Sequence, residues 1–302
     1  MKNPELTIVI LNYNTQELLK DCLLSLSKTH DLTDFGIIVV DNASSDGSVA
    51  MVQKDYPQVK LIKNSSNLGF AKGNNAAKNY VNSKYVLFLN TDTIFKNEVL
   101  SKCLSFMKKD DNLGALTCKL VMLNGKLDKD ARRSFPTPWV AFTHFTGLDK
   151  LFPTSKLFAR YWYGFISPDK IHEVDVIQGA FFLTKKDILD KVGWFSEDYF
   201  LDGEDIDLSW KIKQLGYKLV YYPVVSLIHL KGVTKGKNKL KHAKIKNDRL
   251  KYVLSGVNAM EIFYKKRLAK NYNLLVNFIV YTGIKILKSI RYIKVQLNYL
   301  KL

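Results

Sequence analysis

Two short runs of this 302-residue chain hold residues able to do chemistry. In the first, Asn90-Thr91-Asp92-Thr93 follows the apolar run Tyr85-Val86-Leu87-Phe88-Leu89. Such a run reads as a buried parallel strand, and a carboxylate at its C-terminal end sits where ligands of open α/β sheets bind. Asp92 is thus a candidate metal ligand; the alternative is a turn and helix cap, which all four residues also suit. In the second, Phe200-Leu201-Asp202-Gly203-Glu204-Asp205-Ile206-Asp207-Leu208 crowds four carboxylates into six positions. Acids this close repel one another unless a cation, a cationic substrate or raised pKa values relieve them. Part of the cluster suits a helix N-terminus, where the dipole favours acids, and at least one member is expected to act as a base or ligand.

Placing such residues requires a sheet. Residues 6–11 read as a first strand that ends in Asn12-Tyr13-Asn14-Thr15, where Asn14 or Thr15 can cap a helix with Leu18, Leu19, Cys22, Leu23 and Leu26 at helical spacing. A second strand, Phe35 to Val40, ends in Asp41-Asn42-Ala43-Ser44. Asp41 can accept a hydrogen bond from a sugar hydroxyl or a base N–H, or it can serve an Asx-turn. After a short strand at Val59–Ile62 comes a Gly/Asn-rich loop, Asn67-Leu68-Gly69-Phe70-Ala71-Lys72-Gly73-Asn74-Asn75, opening into a helix at Ala76, Ala77 and Tyr80. It is neither a dinucleotide fingerprint nor a P-loop; its glycines permit close backbone approach to a ligand, or only cap and turn. The β-α-β-α-β-α-β order predicts a mostly parallel sheet with right-handed crossovers.

Beyond Asp92 the spacing predicts a helix over Val99–Met107 and a strand at Leu113–Thr117. From Arg132 to Glu173 the pattern turns irregular and aromatic, as binding loops do. Its rings, interleaved with Arg132, Arg133 and Arg160, suit either sugar and phosphate contacts or ordinary packing. A strand at Val174–Ile177 runs through Gln178-Gly179-Ala180 into Phe181–Thr184, and a helix carrying Trp210, Ile212 and Leu215 follows the acids. Two further strands, Tyr217–Tyr222 and Val224–Ile228, lead to His229. That histidine precedes Lys231, Gly232 and Thr234, and reads either as a packed residue or as a metal or diphosphate contact.

Hydrophobic content of 47% indicates a globular chain long enough for a large core. Cys22, Cys103 and Cys118 are odd in number, widely spaced and without a CxxC pair, so they suggest neither a disulfide framework nor a zinc site and fit a reducing cytosolic compartment. The opening apolar run is too short for a signal segment and is taken as the first strand. The net charge of +18 is unevenly spread: from Lys231 onward there are 18 Lys/Arg and two acids, leaving 28 bases and 26 acids before it. A polycationic tail on a nearly neutral body seeks phosphates. Residues 240–267 read as helical and basic. The uncharged window from Asn271 to Ile284 falls short of the roughly 20 apolar residues a spanning helix needs. Ile286, Ile290, Ile293, Leu297 and Leu300 then share one helical face, with Tyr292 and Tyr299 nearby, as in an interfacial anchor. Docking on the catalytic body or on a second subunit is the alternative. No nucleic-acid motif accompanies the charge.

In order, Val9-Ile10-Leu11-Asn12-Tyr13-Asn14, Val39-Val40-Asp41-Asn42-Ala43-Ser44, Asn67-Leu68-Gly69-Phe70 with Asn75, Asn90-Thr91-Asp92, Gln178-Gly179-Ala180, Gly203-Glu204-Asp205-Ile206-Asp207-Leu208, and His229 with Gly232 resemble the family 2 glycosyltransferases, nearest the bacterial rhamnosyltransferase-like branch. The resemblance implies a GT-A fold: an α/β domain at residues 1–236, its mostly parallel Rossmann-like sheet flanked by helices. Its nucleotide-sugar half would span about 1–115 and its acceptor half about 116–236, with a basic helical extension at 237–302. It implies that Asp41 binds the nucleobase, that Asp92 is the final acid of a DXD-type motif holding Mn2+ or Mg2+, and that Asp205 is the catalytic base. His229 would be a further metal or diphosphate ligand, and Glu204 would orient donor or acceptor. Asn12, Asn14, Asn67, Gly69, Lys72, Asn75, Asn90, Thr91, Gly179 and Trp210 complete the expected substrate contacts. Asn90 stands where the fullest motif has Asp, leaving one firm carboxylate for the metal. The implied partners are a UDP- or dTDP-sugar and a lipid-linked or growing surface glycan. The enzyme would be inverting and peripheral on the cytoplasmic membrane face, possible as a homo-oligomer. Rival readings are a sugar nucleotidyltransferase and a non-catalytic membrane scaffold.

Overall fold

The computed structural model describes residues 4–29, 35–96, 98–231 and 246–299. Its first half alternates strands and helices: β1 (Leu6–Asn12), α1 (Gln16–Ser27), β2 (Phe35–Asp41), α2 (Ser48–Asp55), β3 (Lys60–Lys63), α3 (Gly69–Asn75) and β4 (Tyr85–Asn90). A two-residue strand, β5 (Thr93–Ile94), precedes α4 (Val99–Lys108) and β6 (Leu113–Val121). The aromatic stretch holds β7 (Arg132–Arg133), α5 (Pro138–Phe145), α6 (Leu148–Leu151) and β8 (His172–Glu173). Then come β9 (Val176–Ile177), β10 (Phe181–Lys185), α7 (Lys186–Val192), α8 (Glu204–Gln214) and β11 (Lys218–His229). Two long helices, α9 (Lys246–Phe263) and α10 (Leu274–Tyr299), form the C-terminal extension.

Among the described residues the main sheet runs β3-β2-β1-β4-β10-β6-β11-β5, with β8 also paired to β11. β3, β2, β1, β4, β6 and β11 share one direction, while β10, β5 and β8 oppose it. The parallel half is built from apolar strands buried on both faces, β1 and β4 above all, because helices cover both sides of a parallel sheet. β1 and β2 are in register, so Asn12 and Asp41 end side by side. β10 inserts antiparallel beside β4, which brings Ala180 to the end of β4: the Asn90 N–H donates to the Ala180 carbonyl at 3.2 Å.

Three local expectations change. Val176–Ile177 does not continue into Phe181–Thr184; it pairs with β7 in a separate small ladder, and the chain turns at Gln178–Ala180. The two strands expected around Pro223 are one, β11, whose register on β6 shifts between Tyr222 and Ser226, as a proline without an N–H donor requires. The stretch read as a loop holds α3, which Gly69 enters at φ +80° and which ends at Asn75; the helix expected at Ala76, Ala77 and Tyr80 is instead a turn and a single 3-10 turn at Lys78–Tyr80.

The expected boundary at 236/237 and the Gly232–Thr234 loop lie outside the described residues. α9 passes through a π-helical turn at Tyr264–Leu268 and folds back into α10. Antiparallel contacts hold the pair: Tyr264 donates to Asn277 at 2.6 Å, and Arg291 to the Val253 carbonyl at 3.2 Å. The extension packs on the body through Phe263, Tyr264 and Leu268 against Phe135, Ile206 and Trp210.

Candidate active site

The end of the parallel half holds a polar knot. Asn12 donates to Asp41 at 2.8 Å and to Ser44 at 3.0 Å, while Asp41 also accepts the Ser44 N–H at 2.8 Å. Asn14, at φ 51°, accepts the Ser45 N–H at 2.8 Å. Asp41 is thereby an Asx-turn residue, buried with both oxygens engaged; each oxygen retains a second lone pair. The Thr91 hydroxyl lies 3.1 Å from that of Thr15, tying the Asp92 turn to the first loop.

Asp92, 1% exposed, faces His229, whose Nε2 lies 3.3 Å from Asp92 Oδ1. The other ring nitrogen, Nδ1, is 2.8 Å from Asp128 Oδ2. Burial works against a charged imidazole, but hydrogen bonds to Asp128 and Asp92 outweigh it, and the His229 pKa is pushed up to about 9. Burial would likewise raise the Asp128 carboxyl, yet bonds from His229 and Lys231 hold it below the ordinary carboxylate range. Lys231 contacts Asp128 and reaches Asp130 at 2.5 Å.

Among the described residues no cluster of three or more His, Cys, Asp or Glu is arranged to hold a metal by itself. The donor chemistry still fits a hard divalent ion in part. Mg2+ in particular is commonly bound by one or two carboxylates plus substrate phosphates and water. A histidine ligand oriented through its second nitrogen by a carboxylate is the arrangement metal sites use, and Asp128 occupies that place.

The second acidic group sits on the first turn of α8. Gly203 enters it at φ +88°, so that Glu204, Asp205 and Asp207 follow as its first residues, all buried. Asp205 accepts from Arg133 at 2.6 Å through Oδ2 and from the Ile206 N–H at 2.8 Å through Oδ1. Burial opposes the Arg133 charge, but the Asp205 carboxylate beside it raises the guanidinium pKa above its usual value. Asp207 points the other way, to Ser196 at 2.5 Å and to Arg267 through two bonds of 2.7 and 3.1 Å. Burial pushes its carboxyl up, but these partners hold it below the ordinary range.

The two centres are joined by one segment. Asp128 orients His229, and five residues later Arg133 grips Asp205. A five-residue span covers at most roughly 17 Å, so the backbone at Asp128 and at Arg133 cannot lie farther apart than that. Asp128 was not among the residues expected to act, and Arg133 was expected only as a sugar or phosphate contact or in packing, not as the partner of Asp205. The alternating charges of Asp128-Lys129-Asp130-Ala131-Arg132-Arg133 are the signal that marked them.

Several expected contacts are occupied by packing. A Cβ on Gly69 would meet the Phe200 carbonyl at 2.2 Å, and one on Gly179 would meet the Phe70 ring at 3.0 Å. Asn67 accepts the Gly69 N–H and donates to Tyr252 of α9 at 3.0 Å. The Asn75 amide donates to the Phe195 carbonyl at 2.9 Å and accepts the Phe195 N–H. Trp210 is set edge-on to Phe135 and Phe263, at 4.8 and 5.8 Å between ring centres. Lys72 is exposed on α3, and Asn90 is half-buried at the end of β4. Of the other expected residues, Asn12, Asp41, Thr91, Asp92, Glu204, Asp205 and His229 are all buried.

A largely parallel sheet with the antiparallel strand β10 inserted beside β4 and flanking helices has the GT-A architecture. Residues 7–193 match the family model "Glycosyl transferase family 2", and the chain belongs to that family. Its likeness runs to rhamnosyltransferases. It is 24% identical over 249 residues to the N-acetylglucosaminyl-diphospho-decaprenol L-rhamnosyltransferase of Mycobacterium tuberculosis, covering 78% of this chain and 80% of that one. It is 26% identical over 231 residues to the rhamnosyltransferase WbbL of Escherichia coli, covering 74% and 82%. Among solved structures, the mannosyltransferase PcManGT of Pyrobaculum calidifontis, in complex with GDP-Man and Mn2+, superposes with a TM-score of 0.57 at 17% identity, over 88% of this chain and 66% of that one. S. aureus TarS 1-349 in complex with UDP-GlcNAc gives 0.53 at 17% identity, over 86% and 66%. This chain therefore spans just under two thirds of either solved chain, and at such identities the likeness shows the fold.

Proposed function

We propose that this chain moves a sugar from a UDP- or dTDP-sugar to a hydroxyl of a lipid-linked or growing surface glycan, inverting the anomeric centre. The joining of the two acidic centres by Asp128–Arg133 carries the reading. A carboxylate on the diphosphate side and a second as proton acceptor, tied together by one segment, are what a direct displacement needs. Asp205 takes the proton of the attacking hydroxyl, with Arg133 fixing its carboxylate and Glu204 beside it orienting a substrate. One base and one displacement suffice, and inversion follows. Asp41, Asn12 and Asn14 form the nucleotide end. Asp92 and His229 would hold Mn2+ or Mg2+, which when bound neutralises charge on the leaving diphosphate as a Lewis acid.

The relatives named for rhamnosyl transfer to a diphospho-lipid sugar support this acceptor class, and the Mn2+ in the mannosyltransferase complex supports the metal. We place the enzyme on the cytoplasmic face of the plasma membrane, seated by its basic extension. No described helix is long and apolar enough to cross a bilayer.

The test is thermal stabilisation by a panel of UDP-, dTDP- and GDP-sugars with and without Mn2+ or Mg2+, followed by transfer assays. A ligand at about 100 times its Kd adds about 2.7 kcal/mol. Metal-dependent stabilisation should vanish in Asp92→Ala. Asp205→Asn should keep donor stabilisation while losing about 10²- to 10⁴-fold in turnover. No stabilisation by any donor would overturn the reading.

A further inference from the structure

The outward face of α10 is the apolar one. Ile284 and Val295 pack inward, while Phe278, Ile279, Ile286, Ile290, Ile293 and Leu297 are all exposed. On a helix turning 100° per residue these six lie within about 120° of one another, opposite the face that meets α9. A second exposed group stands on α5 and its continuation, with Trp139, Phe142, Phe145 and Leu151 between 45% and 69% exposed. The Trp139 indole N–H is already bonded to the Leu157 carbonyl at 3.0 Å, which leaves its ring for apolar contact.

One aromatic seam links both groups. Phe135 lies 6.1 Å from Phe263, and the next residue, Tyr264, lies 5.5 Å from Tyr281 of α10. Pro138, the first residue of α5, is three residues beyond Phe135, hence within about 10 Å of it. Ile206 and Trp210 of α8 join the same seam, so the seam that links the two apolar faces packs on the helix that bears Asp205.

We propose that the α5–α6 hairpin and the outer face of α10 act together as a docking surface for an anionic lipid bilayer, two supports astride the acceptor side of the cleft. Charge selects this occupant. The chain from Lys231 onward carries 18 bases and two acids, and Lys285 and Lys294 are exposed on either flank of the apolar stripe. A second copy would set polycation against polycation, which like-charge juxtaposition disfavours. A helix with an apolar face and basic flanks, too interrupted to span, lies in the interface plane, and an exposed tryptophan suits the headgroup level. The proposal deepens the acceptor reading above: a lipid-linked glycan would reach Asp205 from the surface on which the protein rests.

The experiment is co-sedimentation of the full chain with vesicles of phosphatidylglycerol mixed with phosphatidylcholine, against phosphatidylcholine alone. Comparisons are Trp139→Ala/Phe142→Ala/Phe145→Ala and Ile286→Gln/Ile290→Gln/Ile293→Gln, checked for an unchanged thermal midpoint. Expected is binding to the anionic vesicles that weakens with salt, about tenfold or more loss in either triple variant, and background binding when they are combined. Hairpin-variant binding equal to the parent overturns the two-support arrangement. A parent that ignores vesicles, or forms dimers that the α10 variant dissolves, overturns the bilayer as occupant. Donor-induced stabilisation, measured on the same samples, separates the two readings: it tests the transferase, whereas sedimentation tests the surface.

Discussion

Arg267→Ala is the most telling single substitution for the architecture. Arg267 reaches from the extension into the catalytic body and meets Asp207 through Nε at 2.7 Å and a terminal nitrogen at 3.1 Å. The Asp207 side chain is fully buried, while the arginine is 26% exposed. Removing one partner of a buried pair strands the other charge, at about 3–5 kcal/mol. Asp207 keeps the Ser196 hydroxyl at 2.5 Å and a long bond from Tyr199 at 3.4 Å, so the lower end, about 3 kcal/mol, is expected. For a chain of this size that is roughly 5 °C in midpoint. The assay is urea and thermal unfolding of Arg267→Ala, Asp207→Asn and the double variant. Neutralising Asp207 removes the stranded charge, so the double variant should fall short of the summed singles by about 1 kcal/mol or more. Additive losses, or less than about 1 kcal/mol for Arg267→Ala, would show that the bridge does not hold the extension to α8.

The same carboxylate predicts an acid limit. Its folded pKa lies below the unfolded value, so its contribution is present above about pH 4 and lost as pH falls through the folded pKa. Midpoints measured down to pH 3 should drop faster for the parent than for Asp207→Asn. Gly69→Ala sets a left-handed φ of +80° and a 2.2 Å clash with a backbone carbonyl, and should prevent stable folding. Gly125→Ala, at φ +76° with open space around it, should cost only about 1 kcal/mol by urea titration. Asp128→Asn removes the charge that orients His229 and should weaken metal-dependent donor stabilisation about 10- to 100-fold.

The sequence announces what local pattern dictates. Apolar runs ending in Asn12, Asp41 and Asp92 show both the strands and the polar ends they deliver, because doubly buried strands leave unbroken hydrophobic runs. The acids of α8 announce a helix start for the same reason. What pairs distant segments stays hidden: β5, β7, β8 and β9 are two residues each, too short for any periodicity. Asp128 and Arg133 act only because the chain folds back on His229 and Asp205. Asp207 belongs to the same run as Asp205 yet faces the opposite way, a distinction that helical rotation makes and composition does not. The resemblance implies a ligand contact at Asn75, and no local pattern foretells its two bonds to the Phe195 backbone, 120 positions away.

The Arg267–Asp207 bridge also imposes an order on synthesis. The two residues are 60 positions apart, which at about 5–20 residues per second is roughly 3–12 s of translation. Throughout that interval the helix carrying Asp205 has a buried acid without its cation. A chain interrupted between the two would lack the about 3 kcal/mol that the bridge contributes and would open more often to proteases and chaperones. Completion of the C-terminal helices thus adds a late increment of stability to α8.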